Sequence, residues 1–310
     1  MTKFKFIRLM FFVVIMSLFM MSDSYAQTSD KLGDVITRLY TSFGDFPKIL
    51  TVISYMSGLL MAITGIFKFK DHVDNPQNPL SAGVKRFLAG GMMLSLPYMA
   101  RIVEGSLMGS GGEDAVIGTT KHTLTTASAG ALDGMVYSFI GDIYEPVVAL
   151  LRVFTYLSAI IFLIVGISRL IKTSQDGPKG PTGMGTIATF LVSGALFSAG
   201  GMMGAFTTSL FGNATVSTYA NISSTVISDA TDANRIAAVV ESVMAFIMLV
   251  GYIAFIRGWF VIKEFADGGN ASLAQALTFL FGGVLAINLG DLINVIQNSL
   301  GLTGAAISFG

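Results

Sequence analysis

The chain has no cysteine. Disulfides, thiolate metal sites and cysteine nucleophiles are therefore excluded, although the compartment is not, because a membrane protein facing an oxidising space also manages without thiols. Histidine is almost as scarce. His72 and His122 are the only two, and they fall in loops on opposite predicted faces of a membrane, so no two-histidine metal site forms within one copy. There is no HExxH and no P-loop, and serine–histidine–aspartate catalysis would need a histidine on the right side. Asp45 and Asp291 follow glycine in "SFGD" and "NLGD". Aspartyl chemistry inside a bilayer needs two facing carboxylates, however, and Asp45 precedes the first span. No catalytic, cofactor-binding or metal-ligating residue is assigned, and neither a cofactor nor an enzymatic activity is expected.

Charge is the third shortage. Only 12% of the 310 residues are charged and 53% are hydrophobic, with a mean hydropathy of +0.70. Ordinary soluble domains carry about 25% charged residues. Too little polar surface remains to cover a globule, so the solvent must be largely lipid. The formal net charge of +0 leaves no global basic field for nucleic acid, and no direct nucleic-acid site is evident.

The first 26 residues read as a signal peptide. Lys3, Lys5 and Arg8 form a basic n-region, Leu9 to Met21 an apolar stretch too short to span, and Ser24 and Ala26 supply small residues for cleavage. The competing reading is an uncleaved first membrane helix. Residues 27–46 follow as an external amphipathic segment, with Leu32, Val35, Leu39, Phe43 and Phe46 near helical spacing.

Apolar runs then recur. Ile49–Phe67 contains no charge and is long enough to cross a hydrocarbon core of roughly 30 Å. Further candidates run over Val84–Leu107, Pro146–Ile171, Thr186–Phe211, Val239–Ile262 and Leu273–Ile296. In Val84–Leu107 only 14 uncharged residues separate Arg86 from Arg101, and Pro97 lies among them, so a kinked or partly re-entrant helix is an alternative there. Arg101 and Glu104 read as a neutralised interfacial pair.

The spans pair into repeats. "YMSGLLMAITG" (Tyr55–Gly65), "YLSAIIFLIVG" (Tyr156–Gly166) and "MLVGYIAFIRG" (Met248–Gly258) align without a gap. Lysines follow each, and then an aspartate opens a turn as "DNP", "DGP" or "DGG". The second helix of each pair answers with "FLAGG" (Phe87–Gly91), "FLVSG" (Phe190–Gly194) and "FLFGG" (Phe279–Gly283). The expected fold is an all-α membrane protein of three tandem transmembrane hairpins, six spans in all, over residues 47–108, 146–211 and 239–300. External connectors occupy 109–145 and 212–238, and an external tail 301–310.

Lysine placement sets the topology. Lys68, Lys70, Lys85 and Arg86 mark the first inter-helix turn as cytoplasmic, and Arg169, Lys172 and Lys179 mark the second. The opposite connections carry Glu113, Asp114, Asp133, Asp142 and Glu145, then Asp229 and Asp232. With a cleaved signal, both the mature N-terminus and the C-terminus face the periplasm of a bacterial inner membrane. Gly90, Gly91, Gly194, Gly200, Gly204, Gly282 and Gly283 are candidate helix-packing positions, within the chain or between subunits of an oligomer, because small residues let helices approach closely in lipid.

The first hairpin turn resembles a known family. "GIFKFKDHVDNPQNP" (Gly65–Pro79) is similar to the conserved loop of the small inner-membrane proteins of the DotE/IcmC and DotP/IcmD type, from Dot/Icm type IVB secretion and IncI-type conjugation systems. The matching residues are Gly65, Lys68, Lys70, Asp74, Asn75 and Pro76, and the pattern weakens to Gly166, Lys172, Asp176 and Pro178, then to Gly258, Lys263 and Asp267. Usual members are short, whereas this chain carries three such units. The resemblance implies a structural part of a secretion or conjugation channel or filament, with other membrane subunits of the apparatus as partners and the Lys68–Pro76 loop as their contact. A small-solute or ion channel or transporter built from parallel repeats is the alternative.

Single cysteines placed at Asn75, Gln175 and Gly269 in this cysteine-free chain are expected to resist an impermeant maleimide in intact cells. Those at Gly112 and Thr225 should react. Labelling at Asn75 with none at Gly112 would overturn this topology.

Overall fold

The computed structural model describes residues 31–43, 46–96, 98, 132–176, 183–212, 216–223, 229–302 and 307–310. The expected signal segment 1–26, Asp45, Arg101, Glu104, the expected connector up to residue 131 with His122, and Pro178 with Lys179 lie outside these residues. The described chain is all but entirely helical: α1 (Leu32–Phe43), α2 (Phe46–Asp74), α3 (Leu80–Leu94), α4 (Leu132–Asp176), α5 (Gly183–Phe197), α6 (Ala199–Phe211), α7 (Ala230–Ala266), α8 (Leu273–Ile287) and α9 (Leu289–Ser299). Two short strands, β1 (Ala220–Ile222) and β2 (Ile307–Phe309), pair antiparallel.

Among the described residues three helices are long and apolar enough to cross a membrane: α2, α4 and α7. The total reaches five if each of two bent helix pairs counts as one span. These apolar helices suggest a bilayer environment. The expected sixth span, Val84–Leu107, is described only as far as α3 and the residues just after it.

Two expected straight spans are instead broken. Thr186–Phe211 divides into α5 and α6, which meet at 84°, and Leu273–Ile296 divides into α8 and α9, which meet at 81°. At 15 residues each, α5 and α8 are about 22 Å long, short of the hydrocarbon thickness. The break residues share one backbone conformation: Ser198 has φ −104° and ψ 29°, and Asn288 φ −97° and ψ 35°. Ser95, which ends α3, has φ −92° and ψ 13°. This sparsely populated region between helix and strand turns the chain without a proline or glycine.

The repeat is real at the level of contacts, and its register differs from the motif reading in the third copy. Gly65 packs on Phe87, Gly166 on the Phe190 ring and Gly258 on Leu280, not on Phe279. In the same frame Gly58 meets Gly90, Ala159 accepts a hydrogen bond from Ser193 (2.8 Å), and Gly251 meets Gly283. Ser95, Ser198 and Asn288 then fall into equivalent positions. "FLFGG" therefore slides by one residue, because only its second glycine reaches the backbone of the facing helix.

The glycines divide accordingly. A Cβ on Gly90 would stand 2.7 Å from the Ala62 backbone nitrogen, and one on Gly283 2.8 Å from the Gly251 carbonyl oxygen. Around Gly91 and Gly282 the space is open. Gly194 and Gly204 are buried and Gly200 is half-buried.

Hairpins two and three share the larger core, built from Val192, Leu196, Met203, Met248, Tyr252, Phe255, Val284 and Ile287 among others. A second cluster, including Ala89, Met93, Leu96, Ile160, Leu163 and Ile167, joins hairpin one to α4. The α4 helix has 45 residues, about 68 Å, more than twice the apolar slab. The stretch 132–145, read from sequence as connector, is thus the first part of this helix. The α1 helix packs on that part, and the Gly33 N–H donates to Asp142 Oδ2 (2.9 Å), with no room for a side chain at Gly33. The apolar stripe Leu32, Val35 and Leu39 stays exposed, so α1 leans on protein as well as facing its surroundings.

At the end remote from the lysine-bearing turns, α9 presents its amides to β2. Asn294 donates to the Phe309 carbonyl (2.7 Å) and accepts from the Phe309 N–H (3.1 Å), while Gln297 donates to the Ile307 carbonyl (3.0 Å). Asp291 accepts from both the backbone N–H and the hydroxyl of Ser217.

Gly90→Ala and Gly283→Ala are each expected to destabilise the fold by about 1–3 kcal/mol, because a backbone contact cannot give way. Gly91→Ala and Gly282→Ala should be neutral or stabilising by up to about 1 kcal/mol. Thermal melts followed through Trp259, the single tryptophan, separate the two classes. A Gly91→Leu variant that melts normally but fails to assemble would mark that open face as a subunit contact.

Candidate functional site

The first candidate is the turn between α2 and α3. Apolar residues carry α2 to Phe69, and then the chain becomes polar and must reverse before Leu80. Asn75 and Asn78 build the reversal: Asn75 Oδ1 accepts from the Gln77 N–H (3.1 Å), and Asn78 Nδ2 reaches back to the Asp71 carbonyl (3.2 Å). His72 Nδ1 lies 2.5 Å from the Asn78 carbonyl oxygen. Pro76 and Pro79 bar continuation of the helix. Lys68 is half-buried and pairs with Asp71 (2.8 Å), whereas Lys70, Asp74, Asn75 and Pro76 are exposed. The turn is a hydrogen-bonded knob with an exposed acid, base and amide.

At the same end, hairpins two and three are tied by charge. Arg169 of α4 forks onto both carboxylate oxygens of Asp267, and Lys263 Nζ reaches Asp267 Oδ2 (2.8 Å). Lys263 also lies over the Phe162 ring, 5.3 Å from its centroid. Asp267, read from sequence as a turn opener, therefore joins two repeats. Burial alone would raise its carboxyl, but the hydrogen bonds and charges of Arg169 and Lys263 prevail and hold it below the usual 3.8.

The second candidate is the pair of breaks in hairpins two and three. Ser198 and Asn288 are both fully buried. Asn288 Nδ2 donates to Thr207 Oγ1 of α6 (3.0 Å) and to the Val284 carbonyl (2.8 Å), so the third break sits against the second repeat's bent half-helix. Asn288 Oδ1 and Ser198 Oγ are buried with no hydrogen-bond partner. Neither residue was singled out from sequence. A lone amide in "LAINLGDL" and a serine in "LFSAGG" were the available signals, and they emerge only when the copies are set in their packing register.

Glu241 was also missed, although it lies inside the apolar run Val239–Ile262. It is buried in α7, and its Oε1 accepts the Ala220 N–H of β1 (3.2 Å). The Ala220 N–H supplies a hydrogen bond to one oxygen of this buried carboxylate, which would be costlier still without it.

Among the described residues no group of three or more His, Asp or Glu side chains is placed to hold a metal ion. Comparison with family models, curated proteins and solved structures finds no match.

Asp267 stabilises the folded state fully above the ordinary carboxylate range, and that contribution is lost as pH falls through its depressed folded value. The melting-temperature gap between the parent and Asp267→Asn should hold constant from pH 7 to about pH 5 and close below about pH 4. An unchanged gap at low pH would remove the Arg169–Asp267 pair as a source of stability.

Proposed function

We propose that this chain is a structural inner-membrane subunit of a type IVB-like secretion or conjugation apparatus, contributing to channel or filament assembly with other membrane subunits and with copies of itself. Its lysine-bearing turns face the cytoplasm and its mature termini the periplasm. The observation that carries the reading is the uneven cover of the three hairpins. Only 17% of the apolar window of α2 is buried, against 56% of that of α7. The hairpin bearing the family-like turn is thus the peripheral one. Val52, Met56, Leu59, Leu60, Ile66 and Phe67 leave a whole apolar face of α2 open to lipid or to a neighbouring helix. Hairpins two and three form the anchor, and hairpin one with its Lys70–Pro76 knob forms the docking element. No catalytic role is assigned.

The paired substitution Lys70→Ser and Asp74→Ser tests this, because both side chains are exposed. It should lower co-isolation of the other membrane components in mild detergent by about tenfold, ~1.4 kcal/mol, with the melting temperature unchanged. Undiminished co-isolation would defeat the assignment of this turn.

A second reading, a small-solute or ion channel or transporter of parallel repeats, is favoured by the two helix breaks, since discontinuous helices line many transport sites. Solute flux through liposomes holding the purified chain alone would favour it over the assembly role.

A further inference from the structure

The hairpins meet one another in one repeated way. The second helix of hairpin one, α3, packs on α4, the first helix of hairpin two, and α5 packs likewise on α7 of hairpin three. The same positions are used both times. At the first contact Ala89 and Met93 share a buried cluster with Ile160 and Ile167. At the second, Val192 and Leu196 share one with Tyr252 and Trp259. In the packing register of the repeats, each of these four is the equivalent of its counterpart at the first contact.

At the two ends of the row, half of this contact is left over. The α2 equivalents of Ile160 and Ile167 are Leu59 and Ile66. Ile160 is 2% exposed and Tyr252 1%, whereas Leu59 and Ile66 are each 55% exposed. The α8 equivalents of Ala89 and Met93 are Gly282 and Ala286. Ala89, Met93, Val192 and Leu196 are buried, but Gly282 is exposed and Ala286 half-buried. Among the described residues nothing stands where a Cβ on Gly282 would point. Adjacent positions behave differently. Leu60, Ile161 and Ile253 are exposed in all three copies, and so are Leu88, Leu191 and Phe281. Exposure there belongs to the repeat, whereas exposure at Leu59 and Gly282 belongs to the end of the row.

We propose that hairpin three of one copy receives hairpin one of a second copy, with Gly282 and Ala286 of α8 against Leu59 and Ile66 of α2. The internal contact is thereby made a third time, between chains. Gly282 and Ala286, four residues apart, let a large-residue helix approach closely, a need that lipid chains do not impose. The two faces are different surfaces, so the contact is head-to-tail and its repetition gives a ring or a filament. The proposal deepens the self-assembly part of the reading above and rests on that part alone, not on the identity of the apparatus.

The test uses the full chain in its membrane. Two differently tagged copies of this cysteine-free chain, one carrying Leu59→Cys and the other Gly282→Cys, are expressed together and oxidised with copper phenanthroline. A mixed disulfide dimer is expected, with neither single variant linking to itself, and a chain carrying both cysteines should give a ladder of multimers. The purified parent in mild detergent should sediment above the monomer mass. Gly282→Leu, whose side chain has room in the lone chain, should weaken that association about tenfold at an unchanged melting temperature. Co-isolation of other membrane components is a separate readout, so a failed self-contact and a failed apparatus reading are told apart. A parent that is monomeric in detergent and gives no mixed dimer in the membrane overturns the proposal and leaves both faces to lipid. Undiminished association of Gly282→Leu overturns it as well. So do Leu59→Cys chains that link to one another as readily as to Gly282→Cys chains, which would mark a face-to-face dimer instead.

Discussion

Backbone-to-backbone approach within each hairpin sets nearly everything else. Lipid gives helices no hydrophobic reason to associate, so attraction between them rests on close packing. In the first and third hairpins the closest point pairs Gly58 with Gly90 and Gly251 with Gly283. In the second, Ala159 and Ser193 hold the position with a hydrogen bond. Once that contact is fixed, the distance along the second helix to its break is fixed too. The break aims α6 and α9, and their direction brings Thr207 onto Asn288 and the α9 amides onto β2. The close approach recurs in all three copies, and in the second and third it fixes where the chain bends.

Charge works at the opposite end and joins copies instead of shaping them. Arg169 and Lys263 converge on Asp267, which prevents hairpins two and three from splaying where their loops are most exposed. In hairpin one Lys68 finds its partner, Asp71, within its own helix. Two hairpins behave as one body, and the remaining one attaches through a smaller cluster on α4.

The three hairpins were legible in the sequence because apolar runs and lysine-bearing turns are dictated locally, by the length of the hydrocarbon and the cost of charge within it. The bends were not. Ser198 and Asn288 are neither proline nor glycine, and although Gly200 and Gly290 follow two residues on, apolar residues run up to both breaks, so the bends are not announced. The one-residue slip in "FLFGG" was hidden for a similar reason: two adjacent glycines look equivalent until a facing backbone chooses between them. Of the candidate site, Asn75 and Pro76 were readable as turn chemistry. The Arg169–Asp267 fork links residues 98 positions apart, and no short-range pattern reveals such a pairing. Glu241 escaped because a single carboxylate in an apolar run looks like a boundary until the strand that needs it is in place.

The small ribbon of β1 and β2 has a consequence for how this end of the molecule meets other chains. A two-stranded sheet ordinarily offers its outer edges as templates for a further strand. Here Asn294 matches the Phe309 backbone with both a donor and an acceptor, and Gln297 takes the Ile307 carbonyl, so side-chain amides stand where a third strand would lie. Glu241 occupies the Ala220 N–H on the other side. Strand addition is thereby discouraged on both flanks, and a neighbour docking at this end must recognise side chains and shape.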